Sequence, residues 1–234
     1  MKRILILLLL STKLFAQEEA NDVIYRGFYN ISFLVQSPVG QFKEAISSVF
    51  AKPNSTGLSI SYLTNPRKKA GELSTLLLGG EVGFVGTRQN NFFQPASSGD
   101  FYMNHRQAWA NLRFRYLPNL VIKKVIPYID GGIGPRLYYS KMMENLGNEE
   151  IYKIYGFNAT TLNYNLETGA SYKISGQKRP FSYLEVGFGY LQSNSVKVLD
   201  RNRVGFESNF DVIDTKKSVR PSNIYFKVGI TSYL

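Results

Sequence analysis

Cysteine is absent from this chain of 234 residues, and histidine and tryptophan each occur once. The absence of cysteine excludes a disulfide scaffold, a thiolate metal site, a cysteine nucleophile and a lipid-modified cysteine anchor. Long apolar runs are also lacking after residue 16, although 44% of all residues are hydrophobic. Since a spanning helix needs about 20 apolar residues, a membrane protein of this composition must cross the bilayer with strands.

The first 16 residues have the three parts of an export signal. Lys2 and Arg3 are followed by the apolar run 4–10, and the small residue Ala16 ends the segment. The run is about half as long as a spanning helix, which argues against the alternative of an uncleaved membrane anchor. We expect a signal peptide at 1–16, an N-terminal periplasmic segment at 17–26, and a single barrel domain at 27–234.

Alternation of apolar and polar residues with a period of two predicts β-strands along the mature chain. Between 181 and 191, Val186 and Phe188 alternate with Glu185 and Gly187, so one face is apolar and the other is charged and glycine-rich. Segments with this pattern lie at 27–36, 56–64, 73–85, 107–117, 127–139, 161–173, 181–191 and 223–234. Long polar connections alternate with short ones, as in a barrel with both chain ends in the periplasm. The predicted fold class is all-β, a single antiparallel up-and-down transmembrane β-barrel of about eight strands.

Aromatic residues mark both ends of the apolar faces, as on the lipid-facing side of a membrane barrel. The predicted girdles are Tyr29, Tyr62, Tyr116 and Tyr172 at the periplasmic end, and Tyr139, Tyr164, Tyr190 and Phe226 at the outer end. The alternative is a soluble exported barrel of the lipocalin type, which has its apolar face inside. Glycines on the charged face, such as Gly79 and Gly187, favour the membrane barrel because a crowded lumen needs small residues.

Charged side chains recur on the opposite faces of the strands. The predicted lumen charge network consists of Glu81, Arg113, Arg115, Asp130, Arg136, Glu167, Lys173, Glu185 and Lys227. A barrel of about eight strands has room inside only for side chains, so these charges must pair to offset their desolvation. We interpret the network as a salt-bridged plug, with a gated ion path or a proton-coupled switch as the alternative. Pro135 has no N–H for the ladder and is expected to mark a bulge.

At the level of motifs, the chain resembles the small outer-membrane β-barrel proteins of the OmpA-transmembrane-domain and OmpX type, in the version common in Bacteroidota. The resemblance lies in the leader ending Leu-Phe-Ala-Gln, in segments 127–134 and 184–190, and in the closing strand 224–234. The last residue is Leu234, whereas the family has a terminal aromatic. The resemblance implies the outer membrane of a Gram-negative bacterium, outer-membrane lipid as the surroundings, and insertion by the barrel-assembly machinery.

Part of the formal charge of +11 lies in the three short connections. The predicted periplasmic basic turns contain Arg67, Lys68, Lys69, Lys123, Lys124, Lys178 and Arg179. Such turns suit anionic headgroups or an acidic periplasmic protein, and solvated turns without a partner are the alternative. Nucleic acid is not expected, because the cations are dispersed.

Aromatic and aliphatic residues of the long connections are the second candidate for contacts. They are Phe42, Ile46, Val49, Phe50, Phe92, Phe93, Phe101, Tyr102, Ile151, Tyr152, Ile154, Tyr155 and Phe157. These residues either dock an extracellular protein partner or pack on one another, and the sequence leaves both readings open.

Catalysis is the alternative from another functional class. His105 follows Ser97, Ser98 and Asp100 at the predicted outer mouth, and outer-membrane lipid hydrolases use a Ser/His arrangement. No spacing identifies a nucleophile and a base together, and no metal cluster or nucleotide-binding motif occurs, so no cofactor is expected. We therefore expect a non-catalytic envelope-structure or binding component. A lipid-modifying hydrolase centred on His105 is the alternative, and a narrow pore ranks third.

Overall fold

A computed structural model describes most of the chain after residue 26. The residues described are 27–47, 54–66, 76–90, 100–118, 124–145, 151–175, 181–199, 205–206, 212–213 and 216–233. The long strands are β1 (Gly27–Pro38), β2 (Ser55–Thr64), β3 (Leu76–Asn90), β4 (Asp100–Tyr116), β5 (Val125–Asn145), β6 (Ile151–Ser175) and β7 (Phe181–Ser193). Four short strands follow: β8 (Val196–Leu199), β9 (Gly205–Phe206), β10 (Val212–Ile213) and β11 (Lys216–Val219). The last long strand is β12 (Ser222–Tyr233), and helix α1 (Gly40–Ser47) follows β1.

The eight long strands form one closed antiparallel barrel, in which each strand pairs with the next along the chain. Closure is made by β1 and β12, whose register runs from Phe28 opposite Tyr233 to Pro38 opposite Asn223. The two ends of the barrel domain therefore lie side by side at one rim. The short strands pair separately, β8 with β11 and β9 with β10. The predicted all-β up-and-down barrel of eight strands is confirmed.

Side chains alternate strictly between the two surfaces of the barrel. Along β1, Tyr29, Ile31 and Phe33 are exposed, whereas Asn30 and Ser32 are buried inside. Leu112 on β4 is 73% exposed, and large apolar residues cover the outer face of every long strand. Such an exterior is stable in hydrocarbon and not in water, where a monomer rarely exposes so large an apolar surface. The alternative of a soluble lipocalin-type barrel is therefore wrong.

The residues predicted as girdles lie on this outer surface. Tyr139 is half-buried, and the other seven are exposed. Tyr29 and Tyr62 are direct cross-strand neighbours, and their ring centroids are 4.8 Å apart. In the described residues, no helix is long and apolar enough to cross a membrane.

Pro135 does not mark a bulge, so that prediction was wrong. The β5–β6 register is unshifted from Gly134 to Arg136, and β5 keeps the same offset against β4 on both sides of Pro135. The ring is exposed on the lipid side, and Arg136 points inward. Register shifts occur instead between Met142 and Met143 and between Lys173 and Ser175.

Strands β3 to β6 extend further than the two strands that flank them, β2 and β7. β6 pairs with β7 only from Asn163 onward, and β3 pairs with β2 only as far as Gly86. Beyond these residues, β3 to β6 remain paired with one another. We call this four-stranded extension, residues 87–90, 100–105, 136–145 and 151–162, the outer wall.

Helix α1 covers the barrel interior at the same end. Gly40 begins it with a φ of 58°, in the left-handed region that glycine adopts without strain. The backbone N–H of Val39 donates to the Ser222 carbonyl at 2.9 Å, which ties the start of the helix to β12. Phe42 is fully buried, and its ring meets the Tyr138 ring edge-on with centroids 6.3 Å apart.

Candidate functional site

Arg113 and Arg115, successive inward residues of β4, are the centre of the charges in the lumen. The Arg113 guanidinium forms ion pairs with Glu81 and Asp130, and lies 3.3 Å from Glu167. All of these side chains are buried. Because the three acidic partners come from β3, β5 and β6, this arginine joins three separate strands through the interior.

Arg115 donates four hydrogen bonds to two carboxylates. Its Nε and Nη2 donate to the two oxygens of Asp130 at 2.7 Å each, and Nη1 and Nη2 donate to Glu185 at 2.7 and 2.9 Å. The guanidinium also lies 4.4 Å from the centre of the Phe28 ring and 3.9 Å from that of Tyr128. Two bidentate pairs and two aromatic faces thus contact this one cation.

Lys227 on β12 completes the network from the opposite wall. Its Nζ lies 2.8 Å from Glu167 and 3.8 Å from Glu185. Neutral groups also donate to these carboxylates: Tyr128 and Tyr225 to Glu167, Thr231 to Glu185, and Trp109 to Glu81. We call Glu81, Arg113, Arg115, Asp130, Glu167, Glu185 and Lys227 the charge network.

Two of the nine residues predicted for the lumen lie outside the charge network. Arg136 is fully buried nearer the outer end, where Gln36 and Gln107 accept its hydrogen bonds at 2.6 to 2.9 Å. Its guanidinium lies 4.6 Å from the centre of the Trp109 ring. Lys173 is half-buried at the periplasmic end of β6. Among the described residues, the inward-facing charges thus form one ion-paired layer, with Arg136 nearer the outer end and Lys173 nearer the periplasmic end.

His105, the centre of the hydrolase hypothesis, lies inside the barrel and is buried. Its Nδ1 is 2.7 Å from the Ser140 hydroxyl, and its Nε2 is 3.1 Å from the amide nitrogen of Gln107. Arg136 can only donate, so its bonds to the Gln107 oxygen fix the orientation of that amide. The Gln107 amide nitrogen then donates to Nε2, which leaves the proton on Nδ1.

This tautomer decides what His105 can do to Ser140. Nδ1 carries its proton and donates to the serine oxygen, so it has no lone pair with which to accept the serine proton. A general base needs a free lone pair directed at the proton that it removes. The pair is therefore arranged as a structural hydrogen bond. Ser97 and Ser98, the other predicted partners, lie outside the described residues.

Neutral inward residues that sequence reasoning did not single out form much of the site. Gln107, Trp109, Tyr128 and Tyr225 bond to the charges, and a cavity of about 10 Å³ lies between Trp109, Tyr225 and Lys227. That volume is about the minimum for one water molecule. Their only signal in the sequence is that they share the inward alternation of the charged residues.

Several predicted contact residues cannot be placed. Arg67, Lys68, Lys69, Lys123, Lys178 and Arg179 lie outside the described residues, and so do Val49, Phe50, Phe92 and Phe93. Lys124 is described and exposed. Phe42, one of the predicted loop contact residues, is buried on the inner side of α1, which agrees with the packing alternative for this residue. For the other predicted loop residues, the structure describes the backbone only. They are Ile46 in α1, Phe101 and Tyr102 in β4, and Ile151, Tyr152, Ile154, Tyr155 and Phe157 in β6.

Only the comparison with solved structures finds proteins similar to this chain, and those cited below are β-barrels. No protein-family model and no curated protein matches the chain. Among solved structures, it is similar to Neisserial surface protein A, with 13% identity, 89% of this chain and 97% of that chain covered, and a TM-score of 0.40. It is also similar to Ail, the attachment invasion locus protein of Yersinia pestis, with 12% identity, 91% and 100% coverage, and a TM-score of 0.38. The outer membrane protease OmpT from Escherichia coli gives 8% identity, 93% and 99% coverage, and 0.39.

These TM-scores are too low to support any inference. The fold is therefore assigned from the closure of the barrel and from the chemistry of its two faces. The eight strands close completely, which leaves no unpaired sheet edge within the bilayer. The outer surface is apolar with aromatic residues at both ends, and the interior is charged. This combination is that of the bacterial outer-membrane barrels. The chain accordingly has the fold of a small outer-membrane β-barrel.

Proposed function

We propose that the protein is a non-catalytic binding component of the outer membrane, with a lumen that passes no solute and an outer wall that docks an extracellular partner. The observation that carries the proposal is the edge of the outer wall on β6. Among the described strands, none forms a ladder with residues 151–161 on the side away from β5. An unpaired strand edge is a template for an added strand.

Three successive layers support a closed lumen. At the periplasmic end, Phe28, Leu63, Leu77 and Tyr183 belong to a buried apolar cluster. The charge network fills the next layer, and α1 with its buried Phe42 covers the outer end. A permeating ion would have to displace paired charges that fill the cross-section, so passage is costly.

The direction of the hydrogen-bonding groups on β6 identifies the edge residues that a partner would use. The Leu162 carbonyl accepts a bond from the Asn194 N–H at 2.9 Å, on the side away from β5. Since these directions alternate along a strand, the backbone groups of Thr160 and Asn158 point to the same side. Both side chains are exposed. The edge thus presents an N–H at each of these two positions.

Proline substitution at the edge tests the proposal. A random-peptide phage library selected on the purified barrel is expected to yield extended, β-prone peptides that bind the wild type. Thr160→Pro, which removes one edge N–H without removing a bond to β5, should weaken that binding at least tenfold if about 1.4 kcal/mol is lost.

Thr160→Ala is the matched control, because it removes the same side chain but keeps the N–H. It should bind the selected peptides as the wild type does. Recovery of no peptides, or of peptides that bind the proline variant equally well, would contradict docking at this edge. Unchanged electrophoretic mobility of the unheated barrel confirms that each variant is folded.

A further inference from the structure

Among the side chains that the structure describes, the first charges on the lipid-facing surface lie at the outer end of β4 and β5. Ascending β4, the outward residues are Tyr116, Phe114, Leu112, Ala110 and Ala108, and the next is Arg106. Arg106 is exposed. On β5, Lys141 follows Tyr139 on the same outward face and is half-exposed. An apolar stripe thus ends in two cations on neighbouring strands.

The length of that stripe places Arg106 at the membrane surface. Ten residues separate Tyr116 from Arg106 along β4. At about 3.4 Å per residue and a tilt of about 40°, they span about 26 Å along the membrane normal, close to the roughly 25 Å of an outer-membrane apolar band. Arg106 therefore lies where the lipid headgroups begin, on the outer side.

The two cations are close enough to share one ligand. Arg106 is directly opposite Tyr139, and Lys141 is two residues further on the same face of β5. Such diagonal neighbours are about 7–8 Å apart, within reach of long side chains. On its other side Arg106 faces Gly86, which has no side chain to cover the guanidinium.

Neither cation is neutralised within the part of the chain that the structure describes. The ion pairs of the charge network lie in the lumen, and no ion pair between described residues includes Arg106 or Lys141. A guanidinium fork binds two phosphate oxygens at once, and an ammonium adds a third donor. Phosphate is an anionic group of lipid headgroups, and its oxygens match this set of donors.

We propose that Arg106 and Lys141 form a binding site for the phosphate of an outer-leaflet lipid. The lipid chains would lie along the apolar outer face of β4 and β5 below the two cations. This site is independent of the outer-wall edge, because it uses the outward face of the barrel and not the backbone of β6.

Binding of a phosphomonoester lipid tests the site. Purified barrel in detergent is titrated with phosphatidic acid or phosphatidylcholine, and native mass spectrometry gives the apparent Kd of the first bound lipid. We expect phosphatidic acid to bind the wild type about three- to tenfold more tightly, as two interfacial cations allow. In the double variant Arg106→Gln, Lys141→Gln, the two lipids should bind equally.

Lys43→Gln combined with Lys197→Gln is the matched control, because it removes two exposed cations of the same end that lie on α1 and β8. This control should keep the wild-type preference. If both double variants lose the preference for phosphatidic acid equally, the attraction is due to net charge only and the site is overturned. The site is also overturned if the preference survives in the variant Arg106→Gln, Lys141→Gln. Inorganic phosphate at the lipid concentration should not compete, and competition would identify free phosphate as the ligand and overturn the lipid assignment.

Discussion

Replacing Arg115 by alanine is expected to lower the free energy of unfolding of the barrel by about 3–5 kcal/mol. The substitution leaves Asp130 and Glu185 in a buried layer without the cation that binds both. An unpaired buried charge costs far more than the pair itself contributes. The measurement is urea-induced unfolding in lipid vesicles, followed through the fluorescence of Trp109, the single tryptophan of the chain.

Two comparisons separate this effect from a general loss of positive charge. Arg220→Ala removes an exposed arginine and should leave the unfolding midpoint unchanged. Arg115→Met combined with Glu185→Gln removes one unpaired carboxylate and should recover part of the lost stability. An Arg115→Ala barrel as stable as the wild type would show that the network does not hold the strands together.

Arginine at Leu112 is expected to impair membrane assembly by about 2–4 kcal/mol, the cost of a cation at the middle of the bilayer. Leu112 is the most exposed large apolar residue of the described exterior and lies midway along the apolar stripe of β4. Folding into vesicles is measured by the fraction of barrel that migrates fast without heating, across a urea series.

The matched control is Thr160→Arg, which places the same side chain on an exposed position of the outer wall. This variant should assemble normally, since Thr160 lies in the outer wall, beyond the last residue of β6 that pairs with β7. Equal assembly of both variants would mean that the β4 exterior does not face lipid.

Alternation in the sequence was sufficient to predict the barrel, because lipid and lumen impose opposite chemistry on successive residues. Alternation did not predict the parts of the strands that lie beyond the membrane, where lipid no longer faces one side. The connections predicted at 86–106 and 140–160 are largely strand, since β4 begins at Asp100 and β5 continues to Asn145. Above the membrane neither face must be apolar, so backbone pairing continues without a pattern in the side chains.

The charge network was predictable as a set of inward residues and not as a set of contacts. Arg113 and Arg115 are adjacent on one face, yet only Arg115 contacts Glu185, which lies 70 positions further along the chain. Which carboxylate each arginine meets depends on the stagger of all eight strands. The contacts of Arg136 with neutral amides also depend on this stagger, because Gln36 reaches it from β1 across the lumen.

The most direct test of the closed lumen is the conductance of the purified wild-type barrel in planar bilayers. The account predicts no large steady conductance, because the apolar cluster, the charge network and α1 each obstruct the axis. Deletion of α1 alone should not open the barrel, since the charge network remains below it. Stable open channels in the unmodified protein would contradict the account and would favour the narrow pore instead.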